Sequence, residues 1–305
     1  MAFRLMKHLS LLGVSLEATA GTAETMTAAD VLFRCYDAKL DMRYDKRERV
    51  NAESAIGLMQ AMRGPRSGSL GFTTYLHGKG SSGVPNAGIL WQLAGMKLTT
   101  ATYSTDSARS DWKTGTAALW EDGRRKALRG IMLNPRINLE AGAPAMVEWS
   151  GLGAYTEAPA AEANPSGTYE STTIPTWEGA SSFTIDGVTT HTVDKLTIDL
   201  GYAPVLRQDP NKAGGYCWAE LPGPRKATVQ IPLDAVAFGT KNWWTDLDAG
   251  TEIDMTCVIN GGTNNTITIV CNDMEPMSVE DQERDGGIVD ALGFAVHGAI
   301  TIAYS

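Results

Sequence analysis

The stretch "HGKGSSGVPNAG", residues 77–88, decides between two folds. Gly78, Gly80 and Gly83 stand in the G-x-G-x-x-G spacing that wraps a pyrophosphate in dinucleotide-binding proteins. A candidate strand, "SLGFTTYL" (69–76), precedes it, and a candidate helix, "NAGILWQLAG" (86–95), follows. A nucleotide site needs a parallel strand–helix–strand unit, with phosphates on the helix N-terminus and an acidic residue ~20 positions further on for the ribose. Pro85 falls where that helix should already be under way, and Asp106, the acid nearest the required place, sits in a polar stretch. The plainer reading is a Gly/Ser loop that bends and feeds a helix start at 85–86. It fits better, because the surrounding chain reads as β.

The runs "KLDMRY" (39–44), "KLTIDLGY" (195–202), "ATVQIPL" (227–233), "EIDMTCVI" (252–259) and "TITIVC" (266–271) alternate apolar and polar residues. That period marks strands with one buried face. The end of the chain, "FAVHGAITIAYS", reads as a further strand. Turn residues stand at 121–123, 134–136, 185–187 and 260–265. The last group lies between two alternating runs and predicts a hairpin. Helical signal is thin. It comes from 86–95, with Asn86 as N-cap, Ile89, Leu90 and Leu93 on one face and Gly95 as stop, and from "KNWWTDLDAG" (241–250). Residues 157–180, rich in Ala, Pro, Ser, Thr and Gly, read as a linker extended across a neighbouring surface.

Landmarks recur in the same order in the two halves. Lys39-Leu40 and Lys195-Leu196 open alternating runs. Gly64-Pro65-Arg66 and Gly223-Pro224-Arg225 precede strands. Gly95 and Gly250 end the helix candidates, and Asp122-Gly123 is matched with Asp285-Gly286. Four ordered pairs predict a duplicated domain.

Composition narrows the function. With 305 residues, 43% of them hydrophobic, the chain can bury a real core and fill two domains. A net charge of -9 argues against general nucleic-acid affinity, which needs a surplus of Lys and Arg. Cys35, Cys217, Cys257 and Cys271 make no C-x-x-C pair and read as small buried apolar residues. The four histidines are scattered, so no metal site is expected. No apolar run reaches the ~20 residues of a membrane helix. The N-terminus imitates a secretory signal, but Gly13 breaks its apolar run and Glu17 precedes the cleavage-like Ala18-Thr19-Ala20. "TDLDAGTEID" (245–254) has calcium-loop oxygens, yet Gly250 falls one place early and no acid closes the loop. No G-x-S-x-G elbow and no acid–base pair stand out, so neither an enzyme nor a bound cofactor is expected. Trp91, Trp243 and Trp244 beside the helix candidates suggest either packing or a sugar platform.

Three segments carry a resemblance: "LEATAGTAETMTAAD" (16–30), "GSSGVPNAGILWQLAGM" (80–96) and "EDGRRKALRGIMLN" (121–134). Together, through Glu17, Thr19 and Gly21, the Gly-rich approach to Pro85 and one helix, and the DG turn into a strand, the chain resembles a tail tube protein of long-tailed, siphovirus-type bacteriophages. The resemblance implies a mainly β chain of two tandem tail-tube-like β-sandwich domains, each with a short helix. Their inner sheets would close into a β-barrel on oligomerisation. The expected layout is an N-terminal arm at 1–30, a first domain at 31–156, the linker at 157–180 and a second domain at 181–305.

The implied function is structural: stacked rings that form the tail tube through which DNA is ejected. The implied place is the virion tail, after assembly in the host cytoplasm. The implied partners are the chain itself, in a trimeric ring of pseudo-sixfold symmetry, and the tail terminator, tape measure and distal tail proteins. Phage DNA would pass without specific binding, and no membrane is involved. Asp41, Asp199 and Glu252, in candidate strands, are the candidates for an acidic lumen wall. The charged loop at 44–57, with Asp45, Lys46, Arg47, Glu48 and Arg49, is the candidate ring-stacking device, matched in the second half by 203–215. The alternative function is a β-sandwich decoration or carbohydrate-binding module of the virion.

Overall fold

A computed structural model describes residues 9–47, 62–80, 83–155, 158–170, 172–179, 182–188 and 191–305. The chain is mainly β, with 53% of residues in strands and 8% helical. The strands of the first half are β1 (Ser10–Leu16), β2 (Tyr36–Arg47), β3 (Met62–Tyr75), β4 (Lys97–Thr99), β5 (Thr102–Ser104), β6 (Gly115–Glu121), β7 (Arg124–Glu140), β8 (Met146–Ala154) and β9 (Ala160–Ala161). Those of the second are β10 (Ser182–Ile185), β11 (Lys195–Asp199), β12 (Val205–Gln208), β13 (Tyr216–Glu220), β14 (Ala227–Asp234), β15 (Ile253–Asn260), β16 (Thr266–Arg284), β17 (Gly287–Val296) and β18 (Ile300–Tyr304). The helices are α1 (Ile89–Leu93) and α2 (Trp243–Ala249).

The frame is one antiparallel path of eight strands, β2-β3-β8-β7-β11-β14-β17-β16. β7 and β16 are long because each serves different partners along its two parts. The early part of β7 pairs with β6 and its later part with β8 and β11. The early part of β16 pairs with β15 and β18, its later part with β17. Each bends where the ladder slips, near Gly130 (φ 59°) and Asp273 (φ 51°), and a slipped, positive-φ residue is how a strand turns a corner between leaves. The sheet thus doubles back over one core. Val229, Ile231 and Phe294 of the eight-strand leaf share a buried cluster with Cys257, Ile269 and Ile302 of the other.

The same order of connection runs twice along the eight strands. β2, β3, α1, β6, β7 and β8 lie in the order β2-β3-β8-β7, with β6 on the start of β7. β11, β14, α2, β15, β16 and β17 lie as β11-β14-β17-β16, with β15 on the start of β16. Three of the four landmark pairs fall on corresponding elements: Lys39 and Lys195 on β2 and β11, Gly64 on β3 and Gly223 before β14, Gly95 and Gly250 just past α1 and α2. The fourth does not. Asp122-Gly123 closes β6–β7, whereas Asp285-Gly286 closes β16–β17. The two look alike because both are two-residue turns with positive φ throughout, at 45° and 88° and at 50° and 81°, a geometry that favours Asp-Gly anywhere. The two stretches are joined: β5 pairs with β18, β7 with β11, and one large core cluster draws on both.

Several local expectations meet the structure directly. Residues 260–265 close the β15–β16 hairpin. The run at 294–305 divides into β17 and β18, because Gly298 packs tightly on Asn272 and Asp273 and the chain turns there. Asn86 does not cap with its side chain. Pro85 precedes a 3-10 turn, Asn86–Gly88, and the Asn86 amide instead donates to the Leu32 carbonyl at 3.3 Å. α2 is capped by Asn242, which accepts from the Thr245 amide, and ends on left-handed Gly250. In the segment expected to be a linker, β9 pairs with the start of β7 and Thr176 bridges to Pro144. Of the segment expected to be an arm, residues 10–16 form β1 along β6.

Candidate functional site

The eight-strand leaf has two unlike faces. Successive side chains of a strand alternate sides, so register assigns each residue to a face. Leu40, Leu70, Phe72, Trp149, Ile137, Ile198, Val229 and Phe294 point into the core. The opposite face is polar. Asp41 stands opposite Ser69, while Asp199 stands in a row with Arg136, Glu148 and Thr73. Ser69 and Thr73 lie on the same side of β3, so Asp41 and Asp199 share this polar face. Glu252 does not join them; it is exposed on the link between α2 and β15.

The face is not uniformly acidic. Lys39 pairs with Asp41 at 2.9 Å, and Arg43, Arg136 and Lys195 stand exposed among Glu148 and Glu280. Asp199 is fixed by the Asn134 amide at 3.0 Å and by the Gly201 N–H at 2.8 Å. The Asn138 amide donates to Glu148 at 3.0 Å. Short side chains such as Ser69, Thr73, Ser150 and Ala295 fill the space between. Among the described residues the surface is polar, charge-interleaved and free of large apolar groups over most of its breadth.

Among the described residues both outer edges of the leaf are open. Among the described residues β2 pairs with β3 alone, and residues 277–284 of β16 pair with β17 alone. Open edges template pairing with another chain. Beside the β16 edge, Asp281 and Asp290 stand directly opposite each other. Burial and, second to it, the Asp281 charge hold the Asp290 carboxyl above its ordinary value.

Of the stacking candidates, Asp45 and Lys46 lie near the end of β2, which closes at Arg47; Glu48 and Arg49, with the rest of 48–61, lie outside the described residues. Asp45 accepts from the Tyr216 hydroxyl at 3.2 Å. The matching segment, 203–215, enters the β12–β13 hairpin. That hairpin folds back over the first half, burying Ala219 and Leu221 on Met132, while the Arg66 N–H donates to the Gly214 carbonyl at 2.7 Å.

Sequence reasoning missed the node that pins these parts together. Glu17 is buried and accepts four hydrogen bonds, from the N–H groups of Gly21 and Gly130 and the hydroxyls of Thr114 and Thr116. Beside it, buried Arg129 donates to the carbonyls of Gly21, Cys217, Ala213 and Tyr216. Gly21 has φ 72°, and a Cβ there would stand 2.7 Å from the Cys217 carbonyl, so only glycine fits. The Glu17-x-Thr19-x-Gly21 pattern was visible in the sequence; its partner Arg129 carried no signal.

The remaining motifs resolve into structure. The strand before the Gly78 loop, β3, is antiparallel to both neighbours, and the loop packs Gly78 on Asn265. The parallel unit that a dinucleotide needs is therefore not formed there. The calcium-like stretch 245–254 is the end of α2 and its αL cap, and no cluster of metal-binding side chains occurs among the described residues. Trp91 and Trp243 are each 1% exposed, so they are core rather than a sugar platform. All four cysteines are free, three of them buried, and burial raises the Cys271 thiol to about 12. A cavity of about 600 Å³ lies between Thr105, Trp112, Tyr202 and Gly298, but its guanidinium, Arg225, is already bonded to Thr105 and the Gly298 carbonyl. Neither a protein-family model nor a curated protein sequence matches the chain.

Proposed function

We propose that this chain is a tail-tube subunit of a long-tailed bacteriophage, two β-sandwich repeats in one chain, assembled as rings that stack into the conduit for DNA ejection. The observation that carries the reading is the repeated strand order with an open edge at each end. Inside the chain, β11, first strand of the second set, docks on β7, last strand of the first. The same step, taken between copies, pairs β2 of one copy with β16 of the next. The polar face then lines the lumen.

The number of copies follows from size. Each copy contributes eight strands. Eight alone would close on a bore filled by side chains. With strands ~4.8 Å apart and tilted ~40°, two copies close at about 32 Å backbone to backbone and three at about 48 Å. Side chains and water occupy several ångströms on each wall, so three copies suit a hydrated duplex better than two. Six repeats per ring then give pseudo-sixfold symmetry from a trimer. The interleaved Lys39–Asp41 and Arg136–Glu148 charges fit passage without retention, because a wall of unopposed Lys and Arg would hold phosphates. The implied setting is the virion tail, built in the host cytoplasm with the tail terminator, tape measure and distal tail proteins.

Electron microscopy of the purified full chain at rising concentration tests the reading. Rings and tubes support it. A chain that remains a monodisperse monomer across that range overturns it.

A further inference from the structure

A cleft of about 360 Å³ lies beside the start of β2, lined by Arg34, Tyr36, Tyr75, His77, Glu170 and Thr172. We propose that it binds a small zwitterion, an amino acid, with the ammonium on Glu170 and the carboxylate on Arg34. The inference goes beyond the tube reading and does not depend on it.

Arg34 and Tyr36 lead into β2, Tyr75 ends β3, and Glu170 and Thr172 come from the stretch expected to be a linker. Glu170 is tied to the 3-10 turn behind Pro85, where its Oε1 accepts from the Asn86 N–H at 3.2 Å. Its Oε2 is buried and, among the described residues, has no hydrogen bond. Burial raises the pKa of this carboxyl, and the Asn86 and Ala87 N–H groups and the Thr172 hydroxyl offset that only in part. A buried charge is costly unless it is paired. Among the described residues no cation forms an ion pair with Glu170.

Arg34 is the converse case. Its exposed guanidinium lies 5.1 Å over the Tyr169 ring, and among the described residues no carboxylate pairs with it. Burial, with the Arg34 charge as a lesser cause, lowers the pKa of His77 against the pull of the Thr172 carbonyl, so the ring is neutral at pH 7. That carbonyl can only accept, so Nδ1, 3.2 Å from it, carries the proton, and Nε2 is left as an acceptor. Tyr36 and Tyr75 meet edge-on with centroids 5.0 Å apart, and Tyr36 is exposed.

This chemistry selects the ligand. An anion alone would meet Glu170, a cation alone would meet Arg34, and a neutral molecule would compensate neither. A zwitterion compensates both. Its ammonium has Glu170 Oε2 and His77 Nε2 as acceptors and the tyrosine rings as a cation–π surface. Its carboxylate has the planar fork of the Arg34 guanidinium. Tyr36, Tyr75 and Ile174 offer apolar surface to the carbon chain. The volume is near the lower end of the ~300–1,000 Å³ of small-molecule sites, which suits one amino acid rather than a longer peptide.

Titration calorimetry of the full chain tests the proposal. The probes are leucine, 4-aminobutyrate and 6-aminohexanoate, which set ammonium and carboxylate at increasing spacing. At least one is expected to bind saturably, with a Kd below ~1 mM. Its N-acetyl derivative and its amide, each lacking one charge, should bind at least about tenfold more weakly. The unmodified probe should lose at least about tenfold on Glu170→Gln and on Arg34→Gln, with circular dichroism and the melting midpoint as checks on folding. Arg34→Gln changes an exposed side chain, and the derivatives need no variant at all. No saturable heat from any of the three probes overturns the proposal. So does undiminished affinity for either derivative, or for the probe in either folded variant.

Discussion

Replacing Glu17 by Gln tests whether one buried carboxylate pins the N-terminal segment to β6 and β7. Both oxygens are fully engaged. Oε2 accepts from the Gly21 N–H and the Thr114 hydroxyl, each at 2.7 Å. Oε1 accepts from the Gly130 N–H at 2.7 Å and the Thr116 hydroxyl at 3.0 Å. Glutamine keeps the shape and one acceptor oxygen, but its amide nitrogen must face one of the two backbone N–H groups, donor to donor. The threonine hydroxyl on that side can rotate and accept; the N–H cannot. One buried N–H is left unpaired, at a cost of ~1–3 kcal/mol. The two surviving bonds lose their charge assistance, roughly half their strength. Together these predict a loss of about 3 kcal/mol, large against the ~5–15 kcal/mol stability of ordinary domains. Urea unfolding of the full chain, followed by fluorescence, should show the midpoint falling with the slope unchanged. A shift equivalent to less than about 0.5 kcal/mol, the range of indifferent surface changes, would refute the reasoning and leave Glu17 a bystander.

Tyr304→Phe removes the hydroxyl that accepts from the Trp91 indole at 3.0 Å, where both residues are almost fully buried, and should cost about 1–3 kcal/mol in the same urea assay. Asp290→Asn should raise the melting temperature at neutral pH. The folded carboxyl is held above its ordinary value, so the folded state carries a penalty above that raised value, and the gain should vanish as pH falls below the ordinary value of 3.8. His191 is buried against Trp243, and burial, with Lys241 second, lowers its pKa; the unfolded chain binds the proton first, so stability should fall as pH drops through 6.5. His191→Leu should flatten that part of a melting profile.

The fold was legible where a local rule suffices. Period-two runs exposed one buried face each, and β2, β11, β14, β15 and the start of β16 follow from them. The Gly250 stop of α2 is readable for the same reason. β16 was seen only as far as Cys271, because beyond its bend at Asp273 both faces carry charge and alternation disappears. β6 lacked a period because almost all of it is buried. The Asp122/Asp285 match misled because a two-residue turn asks for Asp-Gly whatever strands it joins. Of the candidate surface, Asp41 and Asp199 follow from the sequence only as acids within candidate strands; register is what puts them on one face. Glu252 stands on the same ground, but the strand begins one residue later, at Ile253. The Arg129 contacts reach across 84 to 108 residues, and no local pattern encodes such a distance. The open edges of β2 and β16 depend on which strands neighbour them, which is likewise a property of the whole chain.

The most direct measurement is a cryo-EM map of tubes assembled from the full chain. The account predicts three chains per ring and one continuous sheet around the bore, crossing from residues 277–284 of one copy to β2 of the next, with Asp41 and Asp199 facing inward. Six chains per ring with half of each chain outside the barrel, or a ring in which the β2 edge faces solvent, would contradict it.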